Sequence, residues 1–98
     1  MRSESEELLS KEPDGDLFEK FAQHIVLDFG AKITQQLNGL DEWYWDFQIR
    51  EVAVTLHLQT YLGIMLFPAR GYETNPAAGA LVKTIATVLK ATLPHKTS

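Results

Sequence analysis

The chain is 98 residues long, which fits a single domain, and its 45% hydrophobic and 22% charged residues are ordinary for a globular protein. The absence of cysteine excludes disulfide bonds, thiolate zinc sites and cysteine nucleophiles. Six acidic and two basic side chains in residues 1–16 account for the whole net charge of −4, so the neutral remainder lacks the basic surface expected of a nucleic-acid-binding protein.

The start of the chain is predicted to be a disordered acidic tail covering residues 1–15. This segment is rich in Ser and Glu and ends in the turn signal Glu12-Pro13-Asp14-Gly15. It has no apolar core of a signal peptide, and no apolar run in the chain approaches the ~20 residues of a membrane-spanning helix. We therefore expect one folded domain over residues 16–94, a tail at 95–98, a cytoplasmic location and no membrane partner.

A first helix is predicted from Leu17 to about Asn38. Asp16 is a candidate N-cap with Glu19 three residues later, and Gly39 is a stop signal. Apolar residues recur at steps of three and four along this segment, at Phe18, Phe21, Ala22, Ile25, Phe29, Ile33 and Leu37. This spacing predicts one buried stripe along a single helix.

Gly30 lies inside this predicted helix and weakens it by about 1 kcal/mol relative to Ala. A competing interpretation ends the helix near His24 and assigns Ile25–Phe29 to a short strand. At the level of the sequence both interpretations are open.

Residues 42–67 alternate between apolar and polar side chains and predict a three-stranded antiparallel meander. A turn at residues 50–51 would pair Trp43 with Leu58, Trp45 with Leu56, Phe47 with Val54 and Ile49 with Val52. A loop at residues 59–61 would pair Leu58 with Leu62, Leu56 with Ile64 and Val54 with Leu66. All the apolar sets then share one face. Arg50-Glu51 lacks the Gly or Asn that short hairpin turns favour, so a longer loop or a single bent strand is the alternative.

A second helix is predicted to begin at Pro76, with Asn75 as its N-cap, and to end before Pro94. The predicted fold is therefore α+β, in the order helix, three-stranded antiparallel meander, helix. Both helices are expected to cover the Trp43/Val54/Ile64 face of the sheet, and no element is left to cover the opposite face.

This opposite face is the candidate functional surface. Its candidate interface or ligand residues are Tyr44, Asp46, Thr55, His57, Tyr61, Met65 and Phe67. Aromatic residues and Met with few charges are typical of interfaces, although an ordinary half-polar outer face has a similar composition.

The sequence contains no recognisable catalytic, cofactor or metal site. All serines lie in the predicted tails, and neither a Gly-x-Ser-x-Gly motif nor a phosphate-binding glycine loop is present. His24 and Asp28, four residues apart, supply at most two of the three or four ligands of a metal site. His57 beside Tyr44, with Asp46 diagonal to it, is the one arrangement that suggests a general base or a pocket floor.

These observations favour a non-enzymatic protein that forms a homodimer, or binds a protein partner, through the uncovered sheet face or through an edge strand. The order helix, three strands, helix loosely resembles the opening of small acidic secretion chaperones and also fits small immunity proteins. This is an analogy of architecture that no motif supports. The alternative is a small-molecule-binding or enzymatic domain with a Tyr44/His57/Asp46 pocket.

Overall fold

In the computed structural model, residues 5–92 are described and form a five-stranded antiparallel sheet with two helices packed on one face. The elements follow in the order β1 (Glu7–Ser10), α1 (Gly15–Phe29), β2 (Lys32–Asn38), β3 (Glu42–Ile49), β4 (Val52–Gln59), β5 (Gly63–Pro68) and α2 (Pro76–Thr92). Across the sheet the strand order is β1-β5-β4-β3-β2. The fold is α+β, but the prediction of a three-stranded meander is wrong because two further strands flank it.

One added strand, β1, comes from the segment that was predicted to be a disordered tail. Glu7–Ser10 pair with β5, and Leu9 is buried in the core. The predicted tail at residues 95–98 and the predicted domain end at residue 94 lie outside the described residues.

The other added strand, β2, replaces the second half of the predicted first helix. Helix α1 continues past His24 to Phe29, so the alternative short strand at Ile25–Phe29 is also wrong. Gly30 then adopts φ 66°, the left-handed conformation that ends helices at little cost for glycine. Two residues later the chain enters β2 and pairs with β3.

Helix α1 begins two residues earlier than predicted, at Gly15 and not at Leu17, because its cap is different. The Asp14 carboxylate, and not that of Asp16, accepts hydrogen bonds from the backbone N–H groups of Asp16 (2.9 Å) and Leu17 (3.3 Å). Helix α2 begins at Pro76 as predicted, and Asn75 Oδ1 accepts from the N–H groups of Ala77 and Ala78.

The β3–β4 hairpin confirms all four predicted pairs, from Trp43–Leu58 to Ile49–Val52. Its tight turn places Arg50 at φ 56°. The β4–β5 pairing differs from the prediction by two residues, since Leu58 pairs with Ile64 and Leu56 with Leu66. A shift of two keeps every side chain on its predicted face but changes its neighbours across the strands.

The core lies between the helices and the helix-facing side of the sheet. Its fully buried side chains include Phe18, Phe21, Ile25, Phe47, Val54, Leu56, Ile64, Leu66, Val82, Ile85 and Leu89. Each such side chain contributes roughly 1.5–3 kcal/mol by leaving water. Trp43 and Trp45 face the helices as predicted, and both meet the Phe18 ring edge to face, with centroids 5.4 and 5.1 Å away. No helix within residues 5–92 is long and apolar enough to cross a membrane.

Candidate functional site

The sheet face opposite the helices brings together six of the seven candidate residues. The corrected register places Tyr44, His57 and Met65 in one row across three strands. Asp46, Thr55 and Phe67 form the next row. The predicted pairs Leu56–Ile64 and Val54–Leu66 would place Met65 beside Thr55 and Phe67 beside Ala53, and the shift of two residues in β5 changes both positions. Tyr61 is not part of this surface, because it lies in the β4–β5 turn and is 84% exposed.

This open face is not the bare apolar patch that its composition suggested. Three of its residues are buried, with exposed fractions of 5% for Thr55, 8% for His57 and 6% for Met65. Phe67 is half-buried, and Tyr44 is 38% exposed. Because the side chains of Thr55, His57 and Met65 are buried, little of their surface is available to a protein partner.

His57 is held by two aromatic rings and one carboxylate. The Tyr44 ring stacks on it at 4.2 Å and 11°, and the Phe67 ring meets it edge-on at 5.9 Å. Its Nε2 lies 3.4 Å from Glu42 Oε1. The carboxylate in contact with His57 is thus that of Glu42, whereas Asp46 lies diagonal to His57 across the strands and accepts a hydrogen bond from Thr55. Glu42 was missed, although it lies two residues before Tyr44 and therefore on the same face of β3.

The Tyr44 hydroxyl also donates a hydrogen bond to Glu42. This bond has the largest effect on the pKa of Glu42 and lowers it below its ordinary value. Desolvation raises the pKa by less, and the weaker interactions with His57 lower it again. The same hydrogen bond raises the pKa of Tyr44, because it stabilises the protonated phenol. The arrangement locks the Tyr44 and His57 rings in place.

Beside this cluster lies a cleft of about 700 Å³. At its floor the Thr55 hydroxyl donates a 2.7 Å hydrogen bond to Asp46 Oδ1. Tyr44, Phe67 and Gln35 stand beside this pair, and the rest of the lining comes from Glu6, Leu37, Pro68, Arg70 and Glu73. The small side chain of Thr55, set between larger neighbours, accounts for the depression.

The structure shows no metal centre in the part of the chain it describes. No group of three His, Asp or Glu side chains in residues 5–92 could hold a metal ion. His24 and Asp28 form a partly exposed pair on α1, with Nδ1 and Oδ2 3.1 Å apart.

A second surface, which the sequence did not indicate, lies at the β2 edge of the sheet. All seven residues of β2 are exposed, and β2 has a neighbouring strand on one side only. The large exposed apolar side chains on this side of the molecule are Leu27, Ile33, Leu37 and Leu40.

On the helix side of this edge lies an apolar groove of about 470 Å³. Its walls come from α1, β2 and β3, with Ala22, Val26, Leu27, Ile33 and Trp45 as its apolar lining. Helix α1 turns its buried residues toward the middle of the sheet, where it meets β4 and α2, and so leaves the helix side of β2 open. We refer to β2 and this groove together as the β2 edge.

Comparison of the chain with protein-family models, with curated proteins and with solved structures gives no significant match.

Proposed function

We propose that the chain is a non-enzymatic interaction protein that forms a homodimer by antiparallel pairing of β2 with β2 of a second copy. The observation that carries this proposal is that all seven residues of an edge strand are exposed beside an apolar groove. An edge strand offers a row of backbone N–H and C=O groups that another strand can satisfy. The apolar groups next to it add the hydrophobic contribution that backbone pairing alone lacks.

Strand β2 carries few of the features that prevent edge pairing. It contains no proline, and Lys32 is its only charged residue. A bulge between Ile33 and Gln35 interrupts its first half, whereas Gln35–Asn38 pair regularly with β3. We expect the regular segment to form the contact.

A second copy suits this segment because antiparallel pairing of a strand with itself is two-fold symmetric. With the axis at Leu37, the two Leu37 side chains lie beside each other on the open face. Gln36 then lies opposite Asn38 of the second copy on the helix face, where side-chain amides can bond to each other. The result is a ten-stranded sheet with all helices on one side.

The structure gives less support to dimerisation through the open sheet face. Met65 is buried there and Phe67 is half-buried against His57, so a substitution at Phe67 would disturb the monomer itself. The analogy with secretion chaperones and immunity proteins rested on the order helix, three strands, helix. It is no part of the proposal, because the element order is different.

Light scattering over a range of micromolar concentrations tests the proposal, with Leu37→Lys as the variant. We expect the mass of two chains for the wild type and of one chain for the variant, because two lysines would meet at the axis. Leu62→Lys is the matched control, since Leu62 is 50% exposed and Leu37 52%, but Leu62 lies in the β4–β5 turn. The control should remain a dimer.

A wild-type mass of one chain at all concentrations would overturn the homodimer. A dimer that Leu37→Lys leaves intact would show that a different surface forms it. Equal loss of the dimer in both variants would show a general effect of added charge.

A further inference from the structure

The cleft on the open face has a floor that offers hydrogen-bond acceptors. The Thr55 hydrogen is engaged with Asp46 Oδ1, so the hydroxyl oxygen can only accept from a molecule in the cleft. Within the described part of the chain, Asp46 Oδ2 accepts no hydrogen bond. The matching group on a ligand is therefore a donor, and next to a carboxylate an ammonium group is favoured.

Aromatic rings stand beside this acceptor pair. Tyr44 lies two residues before Asp46, on the same face of β3, and Phe67 is directly paired with Thr55 across β4 and β5. The negative face of an aromatic ring attracts a cation placed over it. One face of the Tyr44 ring is occupied by His57, so its remaining surface and the Phe67 ring are the parts that can contact a ligand.

One basic residue, Arg70, supplies positive charge to the cleft, whose lining also includes the acidic residues Glu6 and Glu73. Arg70 lines the cleft, is exposed, and makes no ion pair within residues 5–92. The neighbouring Glu73 is held in place by its Oε1, which accepts from the Gly71 N–H at 2.9 Å. A free guanidinium group presents five donors in a fork that fits a carboxylate.

From these three features we infer that the cleft binds a small zwitterion that carries an ammonium group, a carboxylate and an apolar group, as an aromatic amino acid does. The ammonium group is bound by Asp46 and Thr55 between the aromatic rings. The carboxylate is bound by Arg70, and the apolar group packs against Phe67, Leu37 and Pro68. The cleft volume of about 700 Å³ falls within the range of small-molecule sites.

Three probes test this inference by titration into isotope-labelled protein, with NMR chemical shifts as the readout. They are L-phenylalanine, phenethylamine, which lacks the carboxylate, and 3-phenylpropanoate, which lacks the ammonium group. We expect phenylalanine to bind about tenfold or more tightly than either analogue, because each analogue leaves one charged protein group without its partner. The shifted amides should include those of Asp46, Thr55 and Arg70.

Two variants assign the two ends of the ligand. Arg70→Gln should weaken the binding of phenylalanine about tenfold and leave the binding of phenethylamine unchanged. Asp46→Asn should weaken the binding of phenylalanine and of phenethylamine and leave the binding of 3-phenylpropanoate unchanged. The amide oxygen of the substituted side chain can still accept the hydrogen bond from Thr55. A loss of structure would weaken the binding of all three probes together. A selective loss of binding in each variant therefore separates an effect on the site from an effect on folding.

The inference is overturned if phenylalanine causes no shifts in the cleft at millimolar concentration, or if either analogue binds as tightly. It is also overturned if Arg70→Gln weakens all three probes equally. Neither variant changes the β2 strand, so the mass of the protein in solution should be unaffected. Failure here and failure of the proposed dimer are thus separate results.

Discussion

The two edges of the sheet differ in how they are closed. Strand β1 has four residues with a bulge between Leu8 and Ser10, and Leu9 and Ser10 are both buried. Glu7 lies 3.5 Å from Lys83 Nζ and 3.8 Å from Lys90 Nζ, so α2 covers this edge with charge. Strand β2 has seven residues, all exposed, and one charge.

The difference indicates where this protein can associate. Short length, irregular pairing and nearby charge are the features that prevent strand addition at an edge. All three are present at β1. At β2 only a bulge interrupts the first half, and the second half lies next to exposed apolar side chains. We therefore expect β1 to contribute to the stability of the monomer and β2 to contribute to assembly.

The largest expected effect on the free energy of unfolding comes from substitution of Leu9. Leu9→Ala removes a buried side chain of β1 from the core and should lower the free energy of unfolding by about 2–5 kcal/mol. Chemical denaturation measures this loss. Leu8→Ala is the matched control, because Leu8 is 42% exposed on the same strand and should change the free energy by less than about 1 kcal/mol. Equal losses would show that β1 does not pack as described.

The second largest loss of stability is expected from substitution of Gly63, where β5 begins. A Cβ here would lie 2.1 Å from the Ser10 carbonyl oxygen, and the residue has φ 102°. Gly63→Ala should cost more than the roughly 1–3 kcal/mol of a strained backbone alone, because β1 must also move. Gly71→Ala is the control for the backbone, since Gly71 has φ 93° with nothing near its Cβ position. If both substitutions lowered the melting temperature equally, the contact with β1 would have no energetic role.

A smaller effect is expected at Glu7. Glu7→Gln removes the ion pairs with Lys83 and Lys90, which are largely exposed, and should cost no more than about 1 kcal/mol. The cost should shrink in high salt, because exposed charges are screened. Denaturation at low and high ionic strength measures it, with Glu51→Gln in the exposed β3–β4 turn as the control. A cost that salt leaves unchanged would contradict an electrostatic role.

The smallest effect on the monomer is expected at Leu37. Leu37→Lys changes an exposed side chain and should alter the stability of the dilute protein by no more than about 0.5 kcal/mol. At higher concentration the melting temperatures of the wild type and the variant should differ, since dimerisation would raise that of the wild type alone. Calorimetry across a concentration series measures both quantities. A large loss of stability at high dilution would place Leu37 in the core of the monomer.

The sequence predicted the central hairpin well because its information is local. Alternation along β3 and β4, with a two-residue turn, determines both faces and all four pairs. The neighbours Tyr44 and His57, and likewise Asp46 and Thr55, follow from that register. Phe67 was placed in the wrong row because the length of the β4–β5 turn, which ends at Gly63, is not determined by alternation.

The two edge strands could not be predicted because their structure depends on distant contacts. Ile33 and Leu37 lie four residues apart and so continue the stripe of α1, and only the left-handed conformation of Gly30 separates β2 from the helix. Strand β1 contains one buried leucine in an acidic segment, and its pairing depends on β5. Part of the cleft lining was missed because Arg70 and Glu73 come from a loop, where no periodicity indicates direction.

Amide hydrogen exchange at two protein concentrations compares the two edges most directly. If β2 pairs with a second copy, its outward-facing amides should exchange slowly in concentrated wild-type protein and faster on dilution. Exchange in β1 should be the same at both concentrations, and Leu37→Lys should abolish the dependence in β2. Exchange in β2 that is independent of concentration in the wild type would contradict the account.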